Sequence, residues 1–442
     1  MGKATYPPGP RLPRLIQTIA FSQRRHQFMT AMGRRYGDVF TLRFTPPFSE
    51  QMVVFSRPEH IREIFAADPA DLHAGEGNRA LGALMGEHSV LLTDEAEHAR
   101  ARRLLMPAFT GSALHGYREL VAAIAKAHID QWSPGSTVPA LARMNDLTLD
   151  VIMQVVFGVT EEHRRAELAP LLRRTIQLDP IVFIGLSWSW LHGMGPWKRF
   201  YDDKSRLDEL LFAEIARRRA HPDLDQRADV LSRLLAVGSG ENPNDAPLSD
   251  EELRDQLVTL LLAGHETTAS ALAWAFRELA AAPEVQERAR RAACEGDDKY
   301  VEAVLKEAMR RRTVIGGTMR RLTRDLTLCG WDLPAGTVVS TSIVLAHRNP
   351  DRHPDPDRFR PERFLDGSVA TNTWFPFGGG VRRCIGASLA LMEGTVVLRE
   401  ALSRYTMSLP PGVRDTHGRM RNITHVPADD ARVVVAANEI RP

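Results

Sequence analysis

Cysteine is scarce in this 442-residue chain. There are three, Cys294, Cys329 and Cys384, odd in number and widely spaced. That excludes a disulfide framework, and the spacing excludes a zinc site of the CxxC type. Net charge is also nearly missing. The 57 Lys and Arg face 55 Asp and Glu, a formal +2, which excludes a bulk nucleic-acid binder. Long apolar runs are lacking as well. Near the start, Leu15–Phe21 falls far short of the ~20 residues of a membrane span and offers at most a peripheral membrane contact. No secretory signal pattern is visible, and Tyr6 stands where a myristoylation start needs Ser or Thr. These absences point to a cytoplasmic protein with no transmembrane segment, in a reducing compartment.

Apolar residues make up 43% of the chain, ample for a large core. PPGPRLP at 7–13 reads as an extended proline-rich lead-in. DVFTLRF at 38–44 and QMVVFS at 51–56 read as strands, with a Pro-Pro turn between them. Most of the next 250 or so residues show apolar positions at three- and four-residue spacing, the period of helices. Examples are 117–132 and 206–220. The stretch 238–248, GSGENPNDAPL, is a polar loop. Strand patterns return in LTLCGWDL at 326–333, TVVSTSIVLA at 337–346 and ARVVVAA at 431–437. There is no internal repeat and no clear linker. The expected fold class is mainly α with minor β. Residues 1–442 are expected to form a single large domain with a helix-rich part and a smaller sheet-rich part, 1–13 being the lead-in.

The segment 248–283 reads as one helix, opened by the capping-box pair Ser249 and Glu252 and stopped at Pro283. Its Leu-rich centre should be buried, yet holds Gly264, His265, Glu266, Thr267 and Thr268. A buried carboxylate is costly unless paired or protonated, and a mid-helix glycine costs about 1 kcal/mol relative to alanine. The bland alternative has both threonines bonding back to the helix and Glu266 reaching solvent. The functional one has a locally opened helix whose hydroxyl and carboxyl handle protons in a cleft. GHETT also resembles the start of a zinc-protease HExxH, but position 269 is alanine, so that motif is absent. Further on, Glu307 and Arg310 share a helix face, and Arg363 lies in FRPERF at 359–364. An arginine fork can satisfy a buried carboxylate at two points, so these three can lock the later segment to the helical core.

FGGGVRRCIG at 377–386 crowds three glycines and two arginines around Cys384. With AGHETT at 263–268, ExxR at 307–310 and PERF at 361–364, in this order and over essentially the whole chain, the sequence resembles the cytochrome P450 family, in particular its soluble, actinobacterial-type bacterial members. The segment 377–386 fits the haem-binding pattern F-x-x-G-x-R-x-C-x-G at every fixed position. The resemblance implies heme b (iron protoporphyrin IX) with the Cys384 thiolate as axial ligand of its iron. Glycines bring backbone close, and a helix beginning near the sulfur favours the thiolate. Phe377, Ile385 and Gly386 would lie at the cofactor. Arg382, His98 and Arg102 of EHARARRLL, and Arg320 match propionate-binding positions, with a one-residue ambiguity against Arg321. Ala263 and Gly264 would face the distal side of the haem. Glu266 and Thr267 match the family's acid–alcohol pair.

The activity this implies is a monooxygenase that inserts one oxygen atom from O2 into an organic substrate. Peroxide use, isomerisation, or ligand binding without turnover are the other readings open to a haem-thiolate protein. The chain carries no flavin or ferredoxin segment. A ferredoxin and a ferredoxin reductase are therefore expected as electron donors, with Arg100, Arg103 and Arg383 as cations for an acidic partner. The regions 73–91 and 176–197 are expected to line the substrate path, the second favouring a lipophilic small-molecule substrate. A proline pair usual after the ExxR helix is missing, which predicts a more mobile loop over 314–318.

Overall fold

Proline, glycine and capping side chains set the helix limits seen in the structure, a computed structural model. It describes all residues except 1–5, 47–49, 177–181, 183–188, 237–245, 414–416 and 439–442. The long helix runs Asp250–Ala281. Ser249 Oγ accepts from the Glu252 amide at 3.1 Å and Glu252 accepts from the Ser249 amide at 2.8 Å, the reciprocal pair the sequence suggests. The next helix starts at once, Pro283–Glu295, with proline where no amide partner is needed. The predicted helix at 117–132 overlaps Gly111–Ile129 and overruns its end by three residues, and that at 206–220 overlaps Gly195–Arg219 and overruns it by one.

Contacts divide the chain into two compact units: residues 1–73, 121–148 and 266–442, and residues 74–120 and 149–265. The first holds the sheets. Strands β1 (Val39–Arg43) and β2 (Gln51–Phe55) form a hairpin, with β3 at Leu72–His73. β4 is Thr137–Pro139, β5 Gly317–Leu322, β6 Leu326–Leu328, β7 Trp331–Leu333 and β8 Val338–Ser342. β9 is Tyr405–Ser408, β10 Gly418–Arg421, β11 Thr424–Pro427 and β12 Arg432–Ala437. The main sheet has the order β1-β2-β8-β5-β3, with β2 and β8 parallel, Val53 opposite Val339. Apolar residues from both its faces are fully buried. The predicted strand at 337–346 is too long. It ends at Ser342, whose hydroxyl accepts from the Leu345 amide and caps a short helix, Ile343–Arg348.

Among the described residues, the second unit is helical apart from its loops. Arg218 is buried there, bound to Asp229 at 2.6 Å and to the Phe157 and Gly158 carbonyls. Arg254 likewise bridges Asp208 and Asp255. Half of the predicted substrate region 176–197 lies outside the described residues. Of the rest, Val182 and Trp197 pack with Leu84, and Trp190 is exposed. Part of the 238–248 loop is also outside the described residues.

Candidate functional site

The Cys384 loop is shaped by glycine. Gly378 and Gly380 have φ of 65° and 63°, a region where a Cβ is strained. A Cβ on Gly379 would lie 2.3 Å from the Phe65 ring, and one on Gly380 would lie 2.2 Å from the Phe65 carbonyl oxygen. These two glycines let the loop close onto the helix Pro58–Ala66, a demand the sequence pattern leaves hidden. The loop is then tied across its neck by the Cys384 amide, which donates to Phe377 O at 2.9 Å. Phe377 stands edge-on to Trp374, and Trp374 edge-on to Phe364.

Cys384 is exposed and in no disulfide. Two residues separate it from the helix Ala387–Leu402, so its sulfur belongs to the positive end of that helix. Ile385 and Gly386 are half-buried, and a Cβ on Gly386 would meet nothing within 4 Å. Space is thus open beside Gly386, two residues from the exposed Cys384. Cys329 is the chemical contrast: burial, then the charge of Glu63, push its thiol up to about 12.

Behind the loop, Glu307, Arg310 and Arg363 are together and fully buried, with side chains 0–1% exposed. Arg310 grips Glu307 with two bonds, at 2.7 and 2.9 Å, and Arg363 adds a third at 3.0 Å. Arg310 also donates to His347 O and Pro356 O, and the Arg360 amide donates to Glu307. Every strong donor of the set has an acceptor, so burial of the charges is compensated. Removing one member would cost roughly 3–5 kcal/mol. His347 Nε2 passes the constraint on by accepting from the Phe375 amide at 3.0 Å, two residues before Phe377.

Arg320 and Arg321 are separated by strand alternation. Arg320 is buried and Arg321 exposed, so Arg320 is the inward one. Arg382 is half-buried in the turn Gly380–Arg382. His98 is buried in the helix Glu95–Leu105 of the second unit, with Arg102 half-buried one turn on. Arg100 is not available to a partner in the way expected. It binds Glu252 at 2.6 Å and the Ala246 and Pro247 carbonyls. Arg103 and Arg383 are exposed.

The long helix is uninterrupted through 263–268, so the expected local opening is absent there. Gly264 answers a packing demand, since a Cβ would come within 2.8 Å of Ile152 Cδ1. Ala263 is exposed and Thr267, one turn on, half-exposed. Glu266 does not reach solvent. It is buried and ion-paired with Arg421, a residue that no local pattern singles out. Arg421 also donates to Asn145 Oδ1 at 3.3 Å. Burial raises the Glu266 carboxyl above its ordinary value; the charge and hydrogen bond of Arg421 and bonds from Thr424 and Asn422 oppose this. The 314–318 stretch, expected to be mobile, is pinned by main-chain bonds: His425 N to Val314 O, Ile343 N to Gly316 O, and a bridge between Ile315 and Thr424.

The fold and its cysteine loop have counterparts among known proteins. The cytochrome P450 family model matches residues 7–426, and the chain belongs to that family of monooxygenase oxidoreductases. It is 55% identical over 427 residues to cytochrome P450 135A1 of Mycobacterium tuberculosis, covering 97% of this chain and 94% of that protein. It is 38% identical to cytochrome P450 135B1 of Mycobacterium bovis, covering 98% and 91%. Among solved structures, the retinoic acid-bound cyanobacterial CYP120A1 superposes with a TM-score of 0.86 at 26% identity, over 99% of this chain and all of that one. The haem domain of cytochrome P450DA, at 22% identity and a TM-score of 0.84, shares the fold. No helix among the described residues is long and apolar enough to cross a membrane.

Proposed function

We propose that the chain, working as one functional domain, holds heme b through the Cys384 thiolate. In this reading it inserts one oxygen atom from O2 into a lipophilic substrate, with electrons from a separate ferredoxin and its reductase. The observation that carries this is the Cys384 thiol itself. It is exposed at a helix N-terminus, beside the open side of Gly386, on a loop held from behind by Glu307, Arg310 and Arg363. Arg382 and Arg320, with His98 and Arg102, would bind the two propionates; Phe377, Ile385 and Gly386 would pack at the macrocycle. Bound there, haem supplies the activation of O2 that no side chain of this chain can supply.

The chain's own part is to manage protons. Thr267 Oγ1 holds a hydrogen bond on the exposed side of the long helix, where Ala263 leaves room, with Gly264 packed behind. Glu266, buried next to it, takes up and returns a proton at its carboxylate. Arg383 and Arg103 are the cations offered to an acidic ferredoxin. The reading keeps the protein cytoplasmic. Retinoic acid bound to the cyanobacterial relative puts apolar carboxylic acids beside sterols and terpenoids in a first substrate panel.

Cys384→Ser should abolish the thiolate-type Soret band of the reduced, carbon monoxide-bound protein. An unchanged band would remove Cys384 from the site. Thr267→Ala should keep haem and substrate binding but release peroxide in place of product. Unchanged coupling of electron use to product would remove Thr267 from the pair.

A further inference from the structure

The first helix, Arg14–Gln23, faces the protein with a polar side chain. Its buried residues are Gln17 and Phe21. Gln17 is only 1% exposed. Its amide group donates to Leu12 O at 2.8 Å and to Pro10 O at 3.4 Å, and its Oε1 accepts from the Arg43 amide at 3.0 Å. Thr18 Oγ1 accepts from the Thr45 amide at 3.0 Å, and Phe21 packs on Phe44 with ring centroids 4.9 Å apart. The other face carries Leu15, Ile16 and Ile19, with Leu12 in line just before the helix. This three- and four-residue spacing makes one stripe. The four are 44–59% exposed. They are four of the eleven exposed large apolar side chains among the described residues, so this is a cluster and not scatter. The peripheral contact read from the sequence at Leu15–Phe21 is thereby relocated: Phe21 is buried, and the exposed stripe begins at Leu12.

The stripe is outward by construction. Rolling the helix to hide it would break the bonds of Gln17 and Thr18 to β1 and to the chain beyond it. A row of aliphatic side chains left bare on one helix marks a contact site. Charge selects the kind of contact. Residues 6–37 hold six arginines and no acid, in a chain whose formal net charge is only +2. Arg11 and Arg24 are exposed at the two ends of the helix. Arg43 on β1 and Arg419 on β10, the strands against which the helix rests, are exposed as well. Arg14 meets Glu50 at 3.6 Å, an exposed pair of little worth. A second copy of the chain docked on this face would set the same arginines against one another, which is costly. A bilayer with anionic lipid suits both features. Its acyl boundary takes up the apolar row and its phosphates meet the guanidinium groups.

We propose that the helix Arg14–Gln23 is a docking surface for an anionic phospholipid membrane. It lies flat in the headgroup layer, with Leu12, Leu15, Ile16 and Ile19 inserted and Arg11, Arg24, Arg43 and Arg419 on the lipid phosphates. The attachment is reversible and needs both the apolar row and the cations, since neither alone anchors firmly. It does not rest on the monooxygenase reading.

The test is co-sedimentation of the full, haem-loaded chain with vesicles of phosphatidylcholine alone and of phosphatidylcholine mixed with phosphatidylglycerol. Binding should require phosphatidylglycerol. It should fall as salt rises from about 0.1 to 1 M, which shortens the Debye length from about 10 to 3 Å. A cation near such a surface is worth about fivefold, so Arg11→Gln with Arg419→Gln should weaken binding by roughly tenfold or more. Leu15→Ser with Ile19→Ser should weaken it by a similar factor, at an unchanged melting temperature. If that pair folds poorly, Ile16→Ser alone should still cost roughly threefold or more. Equal binding to both kinds of vesicle overturns the anionic membrane, as does undiminished binding in the Leu15–Ile19 double variant. Failure to bind vesicles, with self-association that the double variant abolishes, gives the stripe to a second copy and overturns the proposal. Failure to bind vesicles by a chain that stays monomeric also overturns it and leaves the stripe to an acidic protein.

Discussion

Glu393 is a buried acid on the helix that begins beside Cys384, and its Oε1 has no hydrogen-bond partner among the described residues. Burial pushes its carboxyl up to about 8. The unfolded chain would release this proton near the ordinary value of 4.5, so the folded state binds the proton more tightly. The native state then loses stability as pH rises from 4.5 through 8. A tenfold difference in proton affinity is worth about 1.4 kcal/mol, so the effect reaches a few kcal/mol at the alkaline end. Glu393→Gln should therefore raise the melting temperature at pH 8 and leave it nearly unchanged at pH 4.5. Calorimetry at the two pH values decides this; equal effects at both would mean that Glu393 is not protonated in the native state. At this scale the sequence speaks clearly where chemistry is packed into a few consecutive residues. Cys384 with its glycines, Ser249 with Glu252, and Glu307 with Arg310 are such cases. It is silent on Phe65, because nothing near Phe65 announces that Gly379 and Gly380 must fit against it.

Between elements, the stack of His26, His425 and Trp274 joins the helix Arg25–Tyr36, the β10–β11 hairpin and the long helix. Both histidines are held neutral. Burial, then Arg312 and Arg25, lower His425 to about 4; burial, then His425 itself, lowers His26 well below its ordinary value. In the unfolded chain both would take up a proton near pH 6.5. Stability is thus intact above 6.5 and lost as pH falls from 6.5 through 4. His425→Phe preserves a flat ring in the stack and should flatten that acid slope in melting experiments. A slope identical to that of the unmodified protein would place the acid sensitivity elsewhere. None of this is legible in the sequence. The hairpin turn Asn422–Ile423 lacks the glycine that marks two-residue turns, and residues 26 and 425 carry no shared local pattern. The over-long strand at 337–346 has a related cause: a continuous apolar run looks alike in a strand and in a buried helix, and only the Ser342 cap separates them.

At the level of the whole chain, the mainly α class, the strands near both ends and the order of the motifs are readable, because periodicity survives in any local window. Sheet order is not. β2 lies parallel to β8, with Met52 opposite Val338 and Phe55 opposite Thr341. No pattern in either strand names the other. The same pairing sets a clock on synthesis. A ribosome adding ~5–20 residues per second needs roughly 15–60 s to pass from Phe55 to Ser342. Throughout that interval the β1–β2 hairpin has one unclosed edge and an apolar face with no sheet to join. The earliest part of the chain to be made is therefore among the last to be finished, and its waiting time is when chaperones would matter most.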